Sequence, residues 1–173
     1  MQNLFHKIFK LDTHQEIKPI ILESINSFTI KTIKNKQDSI SRTDWQINKY
    51  VPRTYFKHLD PFIQTTYFEF VKSMGASKLN INNIWFQQYQ INDTHNWHCH
   101  PGTHFSNIYY LELPEDAPRT EFKHPFNINK TFSFDIKEGD VLTFPGWYVH
   151  SSPVVKSDTR KTVVVFNTCM ELV

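Results

Sequence analysis

The chain of 173 residues carries a formal net charge of +2, and 39% of its residues are hydrophobic. These values predict one globular domain with a buried core, and the low content of 4 glycines and 9 prolines excludes a fibrous or low-complexity protein. The small charge gives no indication of a nucleic-acid partner, and no stretch approaches the roughly 20 apolar residues that a membrane-spanning helix needs. Because the N-terminus lacks the pattern of a signal peptide and cysteines are few, we expect a cytoplasmic protein.

The N-terminal residues predict a strand followed by a helix. Residues 3–9 alternate between apolar and polar side chains, which is typical of a short strand. Residues 17–28 repeat isoleucine and phenylalanine at helical spacing. Pro19 is compatible with that helix only in its first turn, so we expect the helix to begin close to it.

A polar stretch and a second helix follow. Residues 34–43 are polar and predict a loop. Asp60 is a suitable N-cap, Pro61 fits the first helical position, and Gly75 is suited to end the helix. We expect residues 1–78 to form a helical region that supports the rest of the domain.

The remainder of the chain predicts short strands, which are rich in aromatic and β-branched residues and separated by turn signals such as Pro101-Gly102. The predicted strands span residues 84–91, 104–113, 120–123, 131–134, 141–144 and 162–169. Several strands after two helices predict an α+β fold. We expect a cupin-like double-stranded β-helix, or jelly roll, over residues 79–173, with the helices packed against it in a single domain of residues 1–173.

Four of the nine histidines fall within the segment THNWHCHPGTH. Neutral imidazole is a good ligand for divalent iron, copper, nickel and zinc, so such a cluster indicates a metal site. Because side chains alternate along a strand, His98 and His100 would point to one face. His95 would point to the other face, and His104 lies beyond a turn. A single histidine in a polar loop is more often a surface residue, but the paired spacing favours a ligand role.

His150 is the candidate for a third ligand. It follows an apolar strand that ends at Pro145-Gly146. Arg160 stands ten residues further along, at the start of a strand that continues through Thr162. Arg160 and Thr162 would share a strand face, where a guanidinium and a hydroxyl are suited to grip a carboxylate.

Residues 85–167 resemble the 2-oxoglutarate- and Fe(II)-dependent dioxygenase superfamily. The segments that carry the resemblance are WHCHPGTHFSNIYYLELP, EGDVLTFPGWYVHSSP and RKTVVVFN. The similarity is greatest to the small oxygenases carried by bacteriophages, which are related to the prolyl hydroxylases. The resemblance implies an Fe(II) site formed by His98, His100 and His150, with 2-oxoglutarate and O2 as co-substrates.

The same resemblance implies a clamp for the far carboxylate of 2-oxoglutarate. Arg160 matches the basic residue that the family places after the distal histidine, Thr162 would add a hydroxyl, and Tyr89 would join the clamp. The implied reaction hydroxylates an unactivated carbon. A peptide or protein side chain such as proline is the favoured substrate, and a small molecule is the alternative. A phage-encoded enzyme acting in the host cytoplasm would fit this group.

One position departs from the family pattern. The superfamily pairs its first histidine with an acidic ligand, and His100 stands where the acid is expected. Asp93 or Glu112 could supply a carboxylate instead, but neither has the strand spacing that would pair it with His98. We expect His100 to be the second ligand.

A metal-binding cupin without oxygenase activity, either an isomerase or a small-molecule binding module, is the main alternative. The segment HCHPGTH matches a cupin ligand pattern, GDVLTFPGWYVH resembles the second cupin motif, and cupins share the jelly-roll fold. In that case His104 would be a fourth ligand and Arg160 would have no fixed role. A binding protein that holds no metal is a third alternative.

Overall fold

Two antiparallel β-sheets dominate the computed structural model, which describes residues 6–28 and 30–172. The strands are β1 (Lys7–Lys10), β2 (Lys31–Lys34), β3 (Ser39–Thr43), β4 (Ala76–Tyr89), β5 (His95–His98), β6 (Phe105–Glu112), β7 (Glu121–His124), β8 (Asn127–Ser133), β9 (Asp140–Pro145), β10 (His150–Ser152) and β11 (Lys161–Leu172). The larger sheet has the order β1-β9-β6-β11-β4-β3-β2 and the smaller one the order β5-β10-β7-β8. The α+β jelly roll expected from the sequence is confirmed.

Two helical segments pack on the outer face of the larger sheet. The first, α1, spans His14–Ser27. The second, α2, is a 3-10 helix over Thr54–Leu59, an α-helix over Asp60–Phe62, a π-helix over Ile63–Tyr67 and an α-helix again over Phe68–Lys72. Within the described ranges, no helix is both long and apolar enough to cross a membrane.

The position of Pro19 differs from the expectation. It is the sixth residue of α1 and lies beyond the first turn. Pro19 lies on the exposed side of the helix. Proline has no N–H to donate to the backbone carbonyl one turn earlier, and on this side water can donate to that carbonyl instead. Ile21 and Ile25 form the buried face of the helix, whereas Ile20 is exposed.

Residues 34–43, which the sequence predicts as a loop, belong largely to a β-hairpin. β2 pairs with β3, and β3 pairs with β4, so the hairpin extends the larger sheet at one edge. Ile33 and Ile40 are its buried apolar side chains, and most of the others are polar. An edge hairpin with so few buried positions lacks the hydrophobic alternation by which a strand is recognised.

The N-terminal region contributes strands as well as helices to the domain. β1 pairs with β9 at the other edge of the larger sheet. It corresponds to the strand predicted at residues 3–9, of which residues 3–5 lie outside the described ranges. The proposed boundary between a support region and a jelly roll at residue 79 stays a prediction.

Side-chain alternation along the central strand β11 divides the core into two layers. Val164 and Phe166 face the helices, whereas Val163 and Val165 face the smaller sheet. Odd-numbered positions of this strand therefore point into the space between the two sheets. This parity decides which residues of β11 reach the candidate site.

A buried ion pair fixes the loop that joins β3 to α2. The carboxylate of Asp44 lies 2.7 Å from Arg53 Nε, and it accepts hydrogen bonds from the Tyr55 hydroxyl (2.7 Å) and the Phe86 backbone N–H (2.8 Å). The other guanidinium nitrogens of Arg53 donate to four carbonyl groups of the same loop. The loop is thus attached to β4 by charge-assisted hydrogen bonds.

Asp44→Ala should lower the free energy of unfolding by about 3 kcal/mol, because it leaves the Arg53 guanidinium buried without its counter-charge. Urea unfolding followed by circular dichroism measures the loss. Glu69→Ala, which removes an exposed ion pair with Lys72, is the matched control and should cost less than about 1 kcal/mol. Equal losses in the two variants would show that the buried pair has no special role.

Candidate metal centre

Three histidines converge between the two sheets. His98 ends β5 and His150 begins β10, and the two residues are directly opposite each other in the antiparallel pair. His100 follows two residues after the end of β5. One nitrogen from each imidazole lies within 4.8 Å of the others. The structure therefore brings together the three histidines that the sequence singled out, although the ligand role itself stays a proposal.

A close approach between two turns positions His100. Its backbone N–H donates to the carbonyl of Gly146 at 2.7 Å. A Cβ atom on Gly146 would lie 2.5 Å from the carbonyl oxygen of Thr103 and 2.9 Å from that of His100. Glycine is therefore required at position 146, because any side chain would push these backbone segments apart.

Backbone carbonyl groups fix the tautomers of two imidazoles. Nδ1 of His98 lies 2.7 Å from the carbonyl oxygen of Asn96, and Nδ1 of His150 lies 2.8 Å from that of Tyr148. A carbonyl oxygen can only accept, so Nδ1 must carry the hydrogen in both residues. Each neutral ring then presents the lone pair of Nε2, which is the arrangement found in metal-binding histidines.

Burial keeps these imidazoles neutral. It lowers the pKa of His150 well below its usual value, with the neighbouring His98 as the next cause. Burial also lowers the pKa of His98, and burial together with His98 lowers the pKa of His100 to about 4. Near neutral pH all three rings are therefore unprotonated and able to bind a cation.

A fourth imidazole lies in the same cavity, which the sequence did not predict. His95 stacks on His98 with ring centroids 4.0 Å apart. Its Nδ1 lies 3.2 Å from Gln87 Nε2, and the Oε1 atom of Gln87 accepts from the Tyr89 hydroxyl at 2.8 Å. The expectation that His95 faces away was wrong, because β5 has one more residue than β10 between their paired positions. Such a bulge changes the parity of a strand.

A buried lysine occupies the part of the cavity where the sequence predicts a carboxylate clamp. Lys161 is 1% exposed, and its ammonium donates to the Pro118 carbonyl at 2.8 Å and to the Ser152 hydroxyl at 3.1 Å. Tyr89 lies beside it, with the ammonium 5.5 Å from the ring centroid. Burial, and next the charge of Arg119, lower the pKa of Lys161 to about 7.

Arg160 and Thr162 do not reach this cavity. They share a strand face, as expected, but it is the opposite face from the site. Both bind Glu112: the guanidinium of Arg160 makes two hydrogen bonds of 2.7 and 2.8 Å, and the hydroxyl of Thr162 makes a third. The sequence shows the alternation but not which parity points inward, so the neighbouring residue Lys161 was missed.

The other ligand candidates lie elsewhere. Asp93 is buried and accepts from the Ser39 hydroxyl and from backbone N–H groups. Glu112 is paired with Arg160. His104 is exposed, and its Nδ1 accepts from a backbone N–H of β11. Within the described ranges, the metal-binding cluster contains neither a carboxylate nor the fourth histidine of the cupin alternative.

The space around the cluster has an inner and an outer part. The inner cavity measures about 30 Å³, enough for about two water molecules. The outer part is a cleft of about 460 Å³ on the side of His100, within the size range of small-molecule sites. Three neutral imidazoles suit Fe(II) and other borderline divalent cations, while the buried ammonium suits an anion. A ligand larger than two waters enters the inner cavity only if lining side chains move.

The model of a protein family described as "Putative 2OG-Fe(II) oxygenase" matches residues 83–167. These residues include the three clustered histidines and Lys161. The comparison with curated protein sequences gave no match.

Many solved structures share the fold. An oxidoreductase of the 2OG-Fe(II) oxygenase family from Burkholderia pseudomallei is 13% identical, with a TM-score of 0.75 over 96% of this chain and 86% of its own. The 2OG complex of a viral collagen prolyl hydroxylase from Paramecium Bursaria Chlorella virus-1 is 16% identical, with a TM-score of 0.64 over 96% of both chains. A prolyl hydroxylase from Trichoplax adhaerens is 14% identical, with a TM-score of 0.64 over 95% and 84%. At these identities the likeness establishes the fold.

The metal-free protein should lose stability as the pH falls from 6.5 towards about 4. Unfolded histidines take up protons near pH 6.5, whereas the folded protein keeps His100 neutral to about pH 4 and His95 to about pH 3. The unfolded state therefore binds more protons in this window, and each histidine destabilises the fold by up to about 1.4 kcal/mol per pH unit. Urea unfolding at about pH 7 and about pH 5 measures the difference. His100→Gln should show a smaller difference than wild type, and an equal one would contradict the assignment.

Gly146→Ala should destabilise the protein by about 1–3 kcal/mol, because the added methyl group meets backbone oxygens. It should also weaken Zn(II) binding, since His100 must shift. Calorimetric titration with Zn(II) and thermal unfolding measure the two effects. Adding Thr103→Ser, which removes the nearby Thr103 methyl group, should not restore either property, because the shortest contact is to the backbone. Full rescue would place the clash in that methyl group instead.

Proposed function

Since this chain belongs to the 2-oxoglutarate- and Fe(II)-dependent oxygenase superfamily, we propose that His98, His100 and His150 hold its Fe(II). The superfamily acts with Fe(II), 2-oxoglutarate and O2. The observation that carries the proposal is the convergence of three neutral imidazoles on a cavity that also contains a buried lysine. Carbonyl groups orient two of the rings, so little reorganisation is needed when the metal binds.

The second ligand changes the charge of the centre. With His100 in place of a carboxylate, all three protein ligands are neutral and the two positive charges of Fe(II) are not compensated. Bound 2-oxoglutarate is a dianion and would balance them. We therefore expect the co-substrate to supply the negative charge that the protein ligands lack.

Lys161 is the proposed partner of the far carboxylate of 2-oxoglutarate, in place of Arg160 and Thr162. Its ammonium is held inside the cavity by two neutral acceptors and has no carboxylate counter-ion there within the described ranges. Burial of a cation without an anion is costly, as its lowered pKa shows. An anionic ligand would remove that cost. The Ser152 hydroxyl beside the ammonium, and the Tyr89 hydroxyl once it releases Gln87, are the proposed additional donors.

The reaction proposed is hydroxylation of a substrate carbon. When bound, iron would supply, with 2-oxoglutarate and dioxygen, the oxidant for replacing a substrate C–H by C–OH, and the co-substrate would leave as succinate and CO2. The protein contributes the imidazoles, the carboxylate-binding cation and a site with little room for water. A peptide or protein side chain, such as that of proline, is the proposed substrate, supported by the prolyl hydroxylases among the structures that share the fold.

A cytoplasmic location and a phage origin stay proposals. The two cysteines, Cys99 and Cys169, are free thiols, which suits a reducing compartment. The oxygenase is favoured over a non-oxygenase cupin by one observation: a buried ammonium beside the histidine cluster is suited to a carboxylate co-substrate, which a cupin does not require.

Anaerobic titration of the protein with Fe(II) and 2-oxoglutarate should produce a weak visible metal-to-ligand absorption band. His100→Ala should abolish it. Lys161→Met, which removes the charge at nearly constant length, should weaken 2-oxoglutarate binding at least about tenfold. Arg160→Ala is the matched control from the adjacent position, and it should bind 2-oxoglutarate as wild type does because its side chain faces Glu112.

Two outcomes would change the assignment. If Arg160→Ala loses the band and Lys161→Met keeps it, the clamp predicted from the sequence is the correct one. If Fe(II) binds but 2-oxoglutarate produces no band in wild type, the oxygenase proposal fails and a non-oxygenase cupin accounts better for the site.

A further inference from the structure

The outer cleft adjoins the histidine cluster directly. Trp85 and His100 line both the inner cavity and the cleft, with their ring centroids 5.6 Å apart. One wall of the cleft is the loop of residues 44–53, which the buried Asp44–Arg53 ion pair fixes in place. The opposite wall is formed by residues 81–85 of β4 and by Asn167 of β11. A molecule bound in this cleft would therefore contact the side chain of His100.

Two buried polar atoms beside this cleft have neither a hydrogen-bond nor an ion-pair partner among the described residues: Nε1 of Trp85 and Oδ1 of Asn167. Both side chains line the cleft, and they are only 5% and 3% exposed. A buried donor or acceptor that is left unpaired destabilises a fold, so such atoms are rare and call for an explanation. In this protein a donor and an acceptor are left unpaired on the same wall.

The strand register places the two residues close together. Asn167 pairs with Asn83, and Trp85 lies two positions further along β4, so Trp85 and Asn167 are diagonal neighbours on one face of the sheet. Diagonal neighbours in an antiparallel pair are separated by about 7–8 Å. At this backbone spacing the two side chains border the same part of the cleft.

The chemistry of the two atoms identifies that group. An indole N–H can only donate, and an amide oxygen can only accept. A neutral secondary amide carries one carbonyl oxygen and one N–H, which point in opposite directions in the trans form, so a single amide can satisfy both atoms. Among the described residues that line the cleft there is no carboxylate, Arg53 is already paired with Asp44, and Lys49 is the remaining cation. The exposed ring of Trp45 offers an apolar surface. These features suit a neutral ligand better than a cationic one.

We propose that Trp85 Nε1 and Asn167 Oδ1 recognise a secondary amide of the substrate, as found in a peptide backbone, and hold it beside His100. The inference rests on the proposed function in one respect: it assumes that His100 binds the metal at which the reaction takes place. Trp85 and Asn167 are then specificity-determining residues, since a substrate without the amide leaves both atoms unpaired. Discrimination by a buried hydrogen-bonding pair of this kind is strong compared with that of an apolar pocket.

The test uses the full chain loaded with Zn(II), a diamagnetic substitute for Fe(II), and follows indole N–H resonances by NMR. The chain has four tryptophans, and Trp85→Phe identifies the resonance of interest. N-Methyl-4-methylpentanamide and methyl 4-methylpentanoate form a matched pair in which oxygen replaces the amide N–H. We expect the amide to move the Trp85 resonance and to bind at least about tenfold more tightly than the ester. Acetyl-leucine N-methylamide should bind more tightly still if the natural ligand is a peptide rather than a small acylated metabolite.

Variants test the two atoms separately. Trp85→Phe and Asn167→Leu should each reduce the preference for amide over ester to less than about threefold. Trp147 lies in a different groove, so Trp147→Phe should keep the full preference for amide over ester. Equal binding of amide and ester to wild type would overturn the proposal. An unmoved Trp85 resonance would also overturn it, since an ordered water would then account for the two atoms.

The proposed function is tested by a separate measurement, so that its failure can be distinguished from a failure of this inference. Amide titrations repeated without metal and without 2-oxoglutarate should give the same preference, because neither Trp85 nor Asn167 belongs to the metal cluster. Loss of the amide preference together with an intact 2-oxoglutarate band would reject only this inference. The converse result, amide binding without the band, would reject only the oxygenase proposal.

Discussion

The site depends above all on the antiparallel pairing of β5 with β10. That pairing sets His98 directly opposite His150, on strands that contribute only a few residues each to the smaller sheet. Two imidazoles held at paired strand positions are brought within coordination distance by backbone hydrogen bonds alone. The third ring, that of His100, is added by a turn whose path is fixed by contact with Gly146. The geometry of the cluster is therefore set by main-chain interactions.

The larger sheet supplies several of the other groups around the histidines. Its inner face supplies Tyr89 from β4 and Lys161 from β11 on one side of the histidines, and Trp85 and Asn167 on the other. Its outer face is covered by the helices, which pack on an apolar layer. The Asp44–Arg53 ion pair extends this rigid arrangement to the loop that forms the far wall of the cleft. Binding groups are thus placed on strands, where their positions are least free to vary.

The sequence predicted correctly those features that depend on residue spacing within a single helix or strand. The His98–His100 spacing, the aromatic strands and the second helix were all readable from periodicity. The sequence did not predict which side chains point into the site where that direction depends on pairing between strands. The bulge in β5 turns His95 inward, and the parity of β11 puts Lys161 inside and Arg160 outside. Neither the extra residue nor the parity has a local signature, because each is fixed by a partner strand distant in the chain. The hairpin of β2 and β3 was missed for a related reason, since it buries only Ile33 and Ile40 as apolar side chains.

The small size of the inner cavity has a consequence for the rate of ligand association. With about 30 Å³ free, lining side chains would have to move before a five-carbon dicarboxylate could reach Lys161, its proposed partner. Association that waits for such a movement is slower than a diffusional encounter, and the same barrier slows escape once the cavity has closed over its contents. A long residence time for the co-substrate would follow. The enzyme would then remain loaded while successive candidate substrates enter and leave the outer cleft.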